Sequence, residues 1–87
     1  MQQGDFFLIY AATKDFDTLF IQTTEPITWT EDIMNAKTFA TFESAKMDFV
    51  KEYEIYRSIV KNTDYKSIWI IQSDTNYYAK RREQILW

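Results

Sequence analysis

Apolar residues recur at Phe42, Ala45, Phe49, Tyr53, Tyr56 and Val60, with Glu43, Glu54, Arg57 and Lys61 set between them. At about 100° per residue those six fall within an arc of roughly 80°, which is one face of a helix and not the alternation of a strand. The spacing predicts one long amphipathic helix over 41–61, which needs an apolar surface to lie on. Thr41 is placed to cap its first turn, Glu43 suits the positive end of the dipole, and Asn62-Thr63-Asp64 supplies the stop. Met47 and Ile55 fall off the stripe, either as scattered surface residues or as the edge of a partner contact.

Either side of the helix the period changes to two. In the run Asp5–Thr13, Phe6, Leu8, Tyr10 and Ala12 alternate with Phe7, Ile9 and Ala11, so both faces are apolar and a central strand is expected. Lys14-Asp15-Phe16-Asp17 reads as a turn capped by its Asp side chains, and Thr18–Thr23 returns as a second strand. Pro26 ends that pairing because it lacks an amide donor. Ile27-Thr28-Trp29 suits a short extended piece, and Thr30-Glu31-Asp32-Ile33 opens one or two helical turns with Thr30 as cap.

Beyond the helix, Tyr65–Gln72 is a third strand with Ile68 and Ile70 opposite Trp69 and Ile71. Ser73–Asn76 carries turn residues, and Tyr77–Lys80 is expected as a fourth strand. The tail Arg81–Trp87 either extends that strand or forms a final helical turn, and the pattern leaves both open. A helix of about twenty residues spans ~30 Å, enough to carry the chain back across a sheet. The expected architecture is a single α+β domain over 1–87. It is a two-layer ββαββ arrangement: a four-stranded antiparallel sheet in the order 2-1-3-4, with one long helix on one face.

Composition narrows the function classes. The chain has 87 residues, 18% of them aromatic, with one Gly and one Pro, which favours a single packed core over a flexible linker. Cysteine and histidine are both absent, excluding thiolate chemistry and the commonest general base and transition-metal ligand. No cofactor motif, phosphate loop or metal-spaced cluster occurs, and Asp15 with Asp17 makes a poor cation site. No metal, cofactor or catalytic residue is therefore expected, and the chain is read as a non-enzyme. No apolar run approaches the ~18–20 residues of a membrane span, and the cysteine-free composition fits a reducing cytoplasm. Net charge is −3, divided as −5 over Met1–Ile59 and +2 over Val60–Trp87.

Two surfaces follow from this layout. A single helix covers one sheet face, yet strands one and three are apolar on both, so Trp69 and Ile71 with Phe7, Ile9 and Ala11, or their alternates, should leave an apolar face for a partner. Its anchors would be Trp69, Ile71, Tyr77, Tyr78, Lys80, Arg81 and Arg82, the Trp, Tyr and Arg among them being the favoured types. Alternatively, the Ile27–Ala40 excursion and Ile85-Leu86-Trp87 fold over that face and complete the core. A homodimer through the face satisfies the sequence equally. Trp69 with Tyr77, Tyr78, Lys80, Arg81, Arg82 and Trp87 could instead stack single-stranded nucleic acid, but an acidic chain has no long-range attraction to phosphate. Lys80-Arg81-Arg82 also reads as a charged edge that discourages strand addition.

Trp29, Thr30, Asp32, Ile33, Ala36, Phe39, Thr41 and Ala45 match the pattern W-[ST]-x-[DE]-[IL]-x-x-A-x-x-F-x-T-x-x-x-A. In this the chain resembles small phage and prophage proteins of unassigned function in which a hairpin precedes that segment and a helix and strand follow. The resemblance covers about half the chain, and most matched positions are structural. This chain departs from the pattern in its longer helix and second C-terminal hairpin. The resemblance implies a mobile-element protein acting in the cytoplasm of a bacterial host, by binding and inhibiting a host or defence protein.

Overall fold

The computed structural model describes residues 5–15, 17–24 and 26–86. The elements are β1 (Phe6–Thr13), β2 (Thr18–Thr24), β3 (Ile27–Thr30), α1 (Phe42–Lys51), α2 (Tyr53–Asn62), β4 (Tyr65–Ser73) and β5 (Ala79–Leu86), with a 3-10 turn at Ile33–Asn35. One antiparallel sheet runs in the order β3-β2-β1-β4-β5. The α+β class and antiparallel sheet agree with the sequence pattern. The four expected strands keep their relative order, but the sheet has five, because Ile27–Thr30 adds to the free edge of β2.

That extra strand forms because Pro26 sits in the reversal, where its missing amide leaves no ladder bond unmade. Thr23 Oγ1 donates to the Pro26 carbonyl at 2.6 Å and lies 2.7 Å from Thr28 Oγ1, stitching the turn. The β1–β2 turn is capped by Thr13, whose Oγ1 accepts from the amides of Asp15 and Asp17, where Asp side chains were expected to do this. Thr30 closes β3, and Asp32 takes the cap expected of it: its Oδ1 accepts from the Met34 amide at 2.9 Å. Only one short 3-10 turn follows.

The expected single rod is two ten-residue helices joined at Glu52, whose φ −110° and ψ 28° leave the helical region. No Gly or Pro marks the break in the sequence. Its effect is on the apolar stripe: Ala45, Phe49 and Tyr56 are buried, whereas Tyr53 is turned out to 40% exposure and meets Phe49 edge-on at 5.7 Å. Thr41 does cap α1, its Oγ1 accepting from the Ser44 amide at 3.0 Å. Thr41→Ala is expected to lower stability by about 1 kcal/mol, measurable as a shift of the urea midpoint; an unchanged midpoint would remove the cap from the account.

Cross-strand register divides the sheet into two faces. Ile9 opposite Ile70, and Ala11 opposite Ile68, point to the helices. There they join Ile21, Phe39, Ala45, Phe49 and Tyr56 in the main core, with Ile27, Trp29, Ile85 and Leu86 packed against it. The 31–41 excursion also runs on this side. Phe39 exchanges both backbone hydrogen bonds with Phe7 at 2.9 Å, and the Lys37 amide reaches the Ile21 carbonyl at 2.8 Å. The tail is strand: β5 pairs with β4 through bulges at both ends, so Arg81–Leu86 extend the sheet. Tyr77 is not part of it, because its φ of 64° lies in the left-handed region, and the strand begins two residues later.

The candidate docking face

Ile27, Trp29 and Phe39 of the excursion and Ile85 and Leu86 of the tail pack on the helix-side core and not over the opposite face, while Trp87, expected to join them there, lies outside the described residues. That face carries Phe6, Leu8, Tyr10 and Ala12 of β1, set by the register beside Trp69, Ile71 and Ser73 of β4 and Phe20 of β2. Tyr10, Ala12 and Ile71 form a second small core with Phe20 and Trp69 packed against it. No helix supplies this burial. The rings do so themselves: Tyr10 and Trp69 lie parallel (9°) with centroids 6.2 Å apart, and Tyr10 meets Phe20 at 5.9 Å. At the far end Tyr77 stands edge-on to Phe6 at 5.6 Å. Leu8 is fully buried and Ile71 and Tyr10 are 6% and 7% exposed, so what the face offers a partner is chiefly the half-buried Phe20 and Trp69 rings and the edge of Tyr10 between them.

A depression of about 420 Å³ opens on this face, floored by Tyr10, Phe20 and Trp69 and bordered by Thr18, Ser67 and Arg82. Ser67 orients its floor, since Trp69 Nε1 donates to Ser67 Oγ at 2.8 Å. Arg82 lies opposite Ile71 in the β4–β5 register. Among the described residues no carboxylate comes within ion-pair distance of its guanidinium. Burial raises the Tyr10 phenol above its ordinary pKa, and the Arg82 charge pulls it partly back.

The seven residues singled out in the sequence do not form one patch. Trp69, Ile71 and Arg82 share the helix-free face, and Tyr77 borders it through Phe6. Tyr78 is 71% exposed in the β4–β5 turn. Lys80 is held by Asp5, Nζ to Oδ2 at 2.9 Å, and that hydrogen bond keeps the Asp5 carboxyl below its ordinary pKa. Arg81 projects toward the helix layer, where it lies over the Phe42 ring at 5.9 Å and pairs with Glu83. Strand alternation separates Arg81 from Arg82, since consecutive residues of a regular strand cannot share a face, and the bulge between Ala79 and Arg81 puts Lys80 out of step with Arg82. Tyr10 and Phe20 were missed as site residues, although the period-two pattern of β1 had put Tyr10 on the same face as Leu8 and Ala12.

An open groove of about 920 Å³ runs along the outer side of α1 over Phe39, Met47 and Val50, with Lys37, Lys46 and Asp48 on its rim. Met47 and Val50 are 73% and 61% exposed, and Ile55 on α2 is also exposed, as its place off the stripe required. The groove is larger and mostly apolar, lined by Phe39, Met47 and Val50, but no ring contact fixes the Met47 and Val50 side chains. The aromatic depression has a floor fixed by ring contacts, which lowers the ordering entropy of binding.

Among the described residues no group of three or more acidic side chains is placed to hold a metal ion. No buried side-chain nitrogen or oxygen among them lacks a hydrogen-bond partner. No described helix is long and apolar enough to cross a membrane. Comparison with protein-family models, curated proteins and solved structures finds no match to this chain.

Proposed function

We propose that this chain is a non-catalytic interaction module that docks a bacterial host or defence protein through its helix-free sheet face and inhibits it. One observation carries the reading: an aromatic-floored depression, edged by an arginine with no ion-pair partner among the described residues, that the described helices and excursion leave uncovered. Trp, Tyr and Arg are the residue types that dominate binding energy at protein interfaces, and here the Tyr10 and Trp69 rings lie stacked on one another beside Arg82. The resemblance of the 29–45 segment to phage proteins supplies the class of partner and the bacterial cytoplasm as the setting.

The test compares bacterial lysate proteins retained by the wild-type chain with those retained by a Trp69→Ala, Arg82→Glu double variant, with Arg81→Glu as the control on the other face. A protein held by the wild type and the control and lost by the double variant is the expected result. Identical capture by all three would place the interface elsewhere. A second copy of the chain is the competing occupant of this face. A concentration-dependent mass in light scattering, abolished by the double variant, would identify it.

Single-stranded nucleic acid is the second reading, favoured by the parallel Tyr10 and Trp69 rings beside Arg82. It is weakened by the commitment of Lys80 to Asp5 and of Arg81 to the helix side, and by the net charge of −3. A gel-shift titration with single-stranded oligonucleotides separates the two, because binding through phosphates falls steeply with added salt.

A further inference from the structure

Arg82 distinguishes the aromatic depression from an ordinary apolar contact. Of the three consecutive basic residues on β5, Lys80 is neutralised by Asp5 and Arg81 by Glu83. Arg82 alone borders the depression, and among the described residues it has no anionic partner. A guanidinium offers five donors in a fixed planar fork matched to a carboxylate. It stands at the margin of a floor made by Tyr10, Phe20 and Trp69, which accepts a ring by offset or edge-on contact. The cavity, at about 420 Å³, lies at the small end of the range for ligand pockets.

We infer that the depression binds a short acidic segment of the partner protein, an aromatic side chain seating on the Tyr10, Phe20 and Trp69 rings while a neighbouring Asp or Glu carboxylate pairs with Arg82. This rests on the protein-docking reading and names the chemistry of its partner. A nucleotide also joins a ring to an anion, but a strand brings one phosphate per nucleotide and binds through several cations. Among the described residues only one cation borders this site, and a single carboxylate is what one guanidinium can satisfy.

The test begins with selection of random 12-residue peptides displayed on phage against the intact chain. Recovered peptides are expected to carry Phe, Tyr or Trp within three positions of Asp or Glu. A selected peptide, synthesised with a fluorescent label, is then titrated with wild type and variants whose fold is checked by circular dichroism. Arg82→Gln should weaken binding about tenfold, Arg82→Glu by a hundredfold or more, and Arg81→Gln not at all.

Peptides recovered without acidic residues, or bound equally by Arg82→Gln, would overturn the carboxylate assignment while leaving protein docking in place. Failure to enrich any peptide would overturn both. Tight, salt-sensitive binding of single-stranded oligonucleotides in that case would identify the nucleic-acid reading as the replacement.

Discussion

Tyr56→Ala is expected to lower the stability of the chain by about 3–5 kcal/mol, the range for deleting a large buried aromatic side chain. Tyr56 is the largest fully buried side chain among the described residues. It sits where three parts of the fold converge: its ring tilts against Phe49 of α1 at 5.2 Å and meets Trp29 of β3 edge-on at 6.1 Å, while α2 packs on β4. Losing it removes the contact that ties the two helices to the added edge strand and leaves a cavity that only backbone movement could fill. For a domain of this size each kcal/mol corresponds to roughly 4–8 °C in Tm, so the transition should fall by about 15 °C or more.

Tyr56→Phe isolates the hydroxyl, which donates to Asp48 Oδ2 over a long 3.4 Å. Its cost is expected to be about 1 kcal/mol or less. Burial, reinforced by the Asp48 charge, keeps the phenol neutral far above physiological pH, so neither variant should change the neutral-pH dependence of stability. An alanine variant melting within about 5 °C of the wild type would refute Tyr56 as the keystone of the helix layer.

Ile9→Asp is the second large expected effect: the chain should fail to fold at neutral pH. Ile9 is fully buried opposite Ile70, in the central strand, on the face beneath both helices. An aspartate there would be either an ionised group without a partner or a carboxylic acid held neutral at the expense of stability. Several kcal/mol are lost in either case, comparable to the whole stability of a small domain. Because protonation relieves part of that cost, any residual structure should increase as pH falls, opposite to the usual acid loss. Far-ultraviolet circular dichroism from pH 7 to pH 4 reads this directly. A variant with wild-type Tm would mean that the register of β1 against β4 is not the one described.

Much of the fold was legible because alternation and helical periodicity are local properties of the chain. The two-sided apolarity of Phe6–Thr13 put β1 in the centre of the sheet, where β2 and β4 flank it. The spacing from Phe42 to Val60 placed the helical layer, and Thr41 proved to be its cap. The break at Glu52 was not legible, since neither Gly nor Pro marks it and the helical spacing runs straight through. The strand at Ile27–Thr30 was read only as extended: four residues are too few to show a period, and their partner lies in β2.

The candidate site was legible in its parts and not in its assembly. Trp69 and Arg82 could be named from residue type, yet that they share a face follows from the register of β4 against β5. The bulges beside Trp69 and Ser73 set that register. Arg81 and Lys80 looked equivalent to Arg82 in the sequence; alternation sends Arg81 to the helix side, and a long-range partner, Asp5, takes Lys80.

By itself the sequence determined the central strands and the helical layer, the apolar face of that layer, and which chemistries cysteine and histidine cannot supply. Each of these depends on neighbours a few residues apart or on composition alone. Only the tertiary structure decided that Phe39 of the excursion and Ile85 and Leu86 of the tail complete the helix side and that aromatic rings shield the other. It also decided that, of the basic run Lys80-Arg81-Arg82, Arg82 is the one that borders the aromatic depression. Those outcomes depend on contacts between residues tens of positions apart, whose geometry is set when the whole sheet pairs and the core closes.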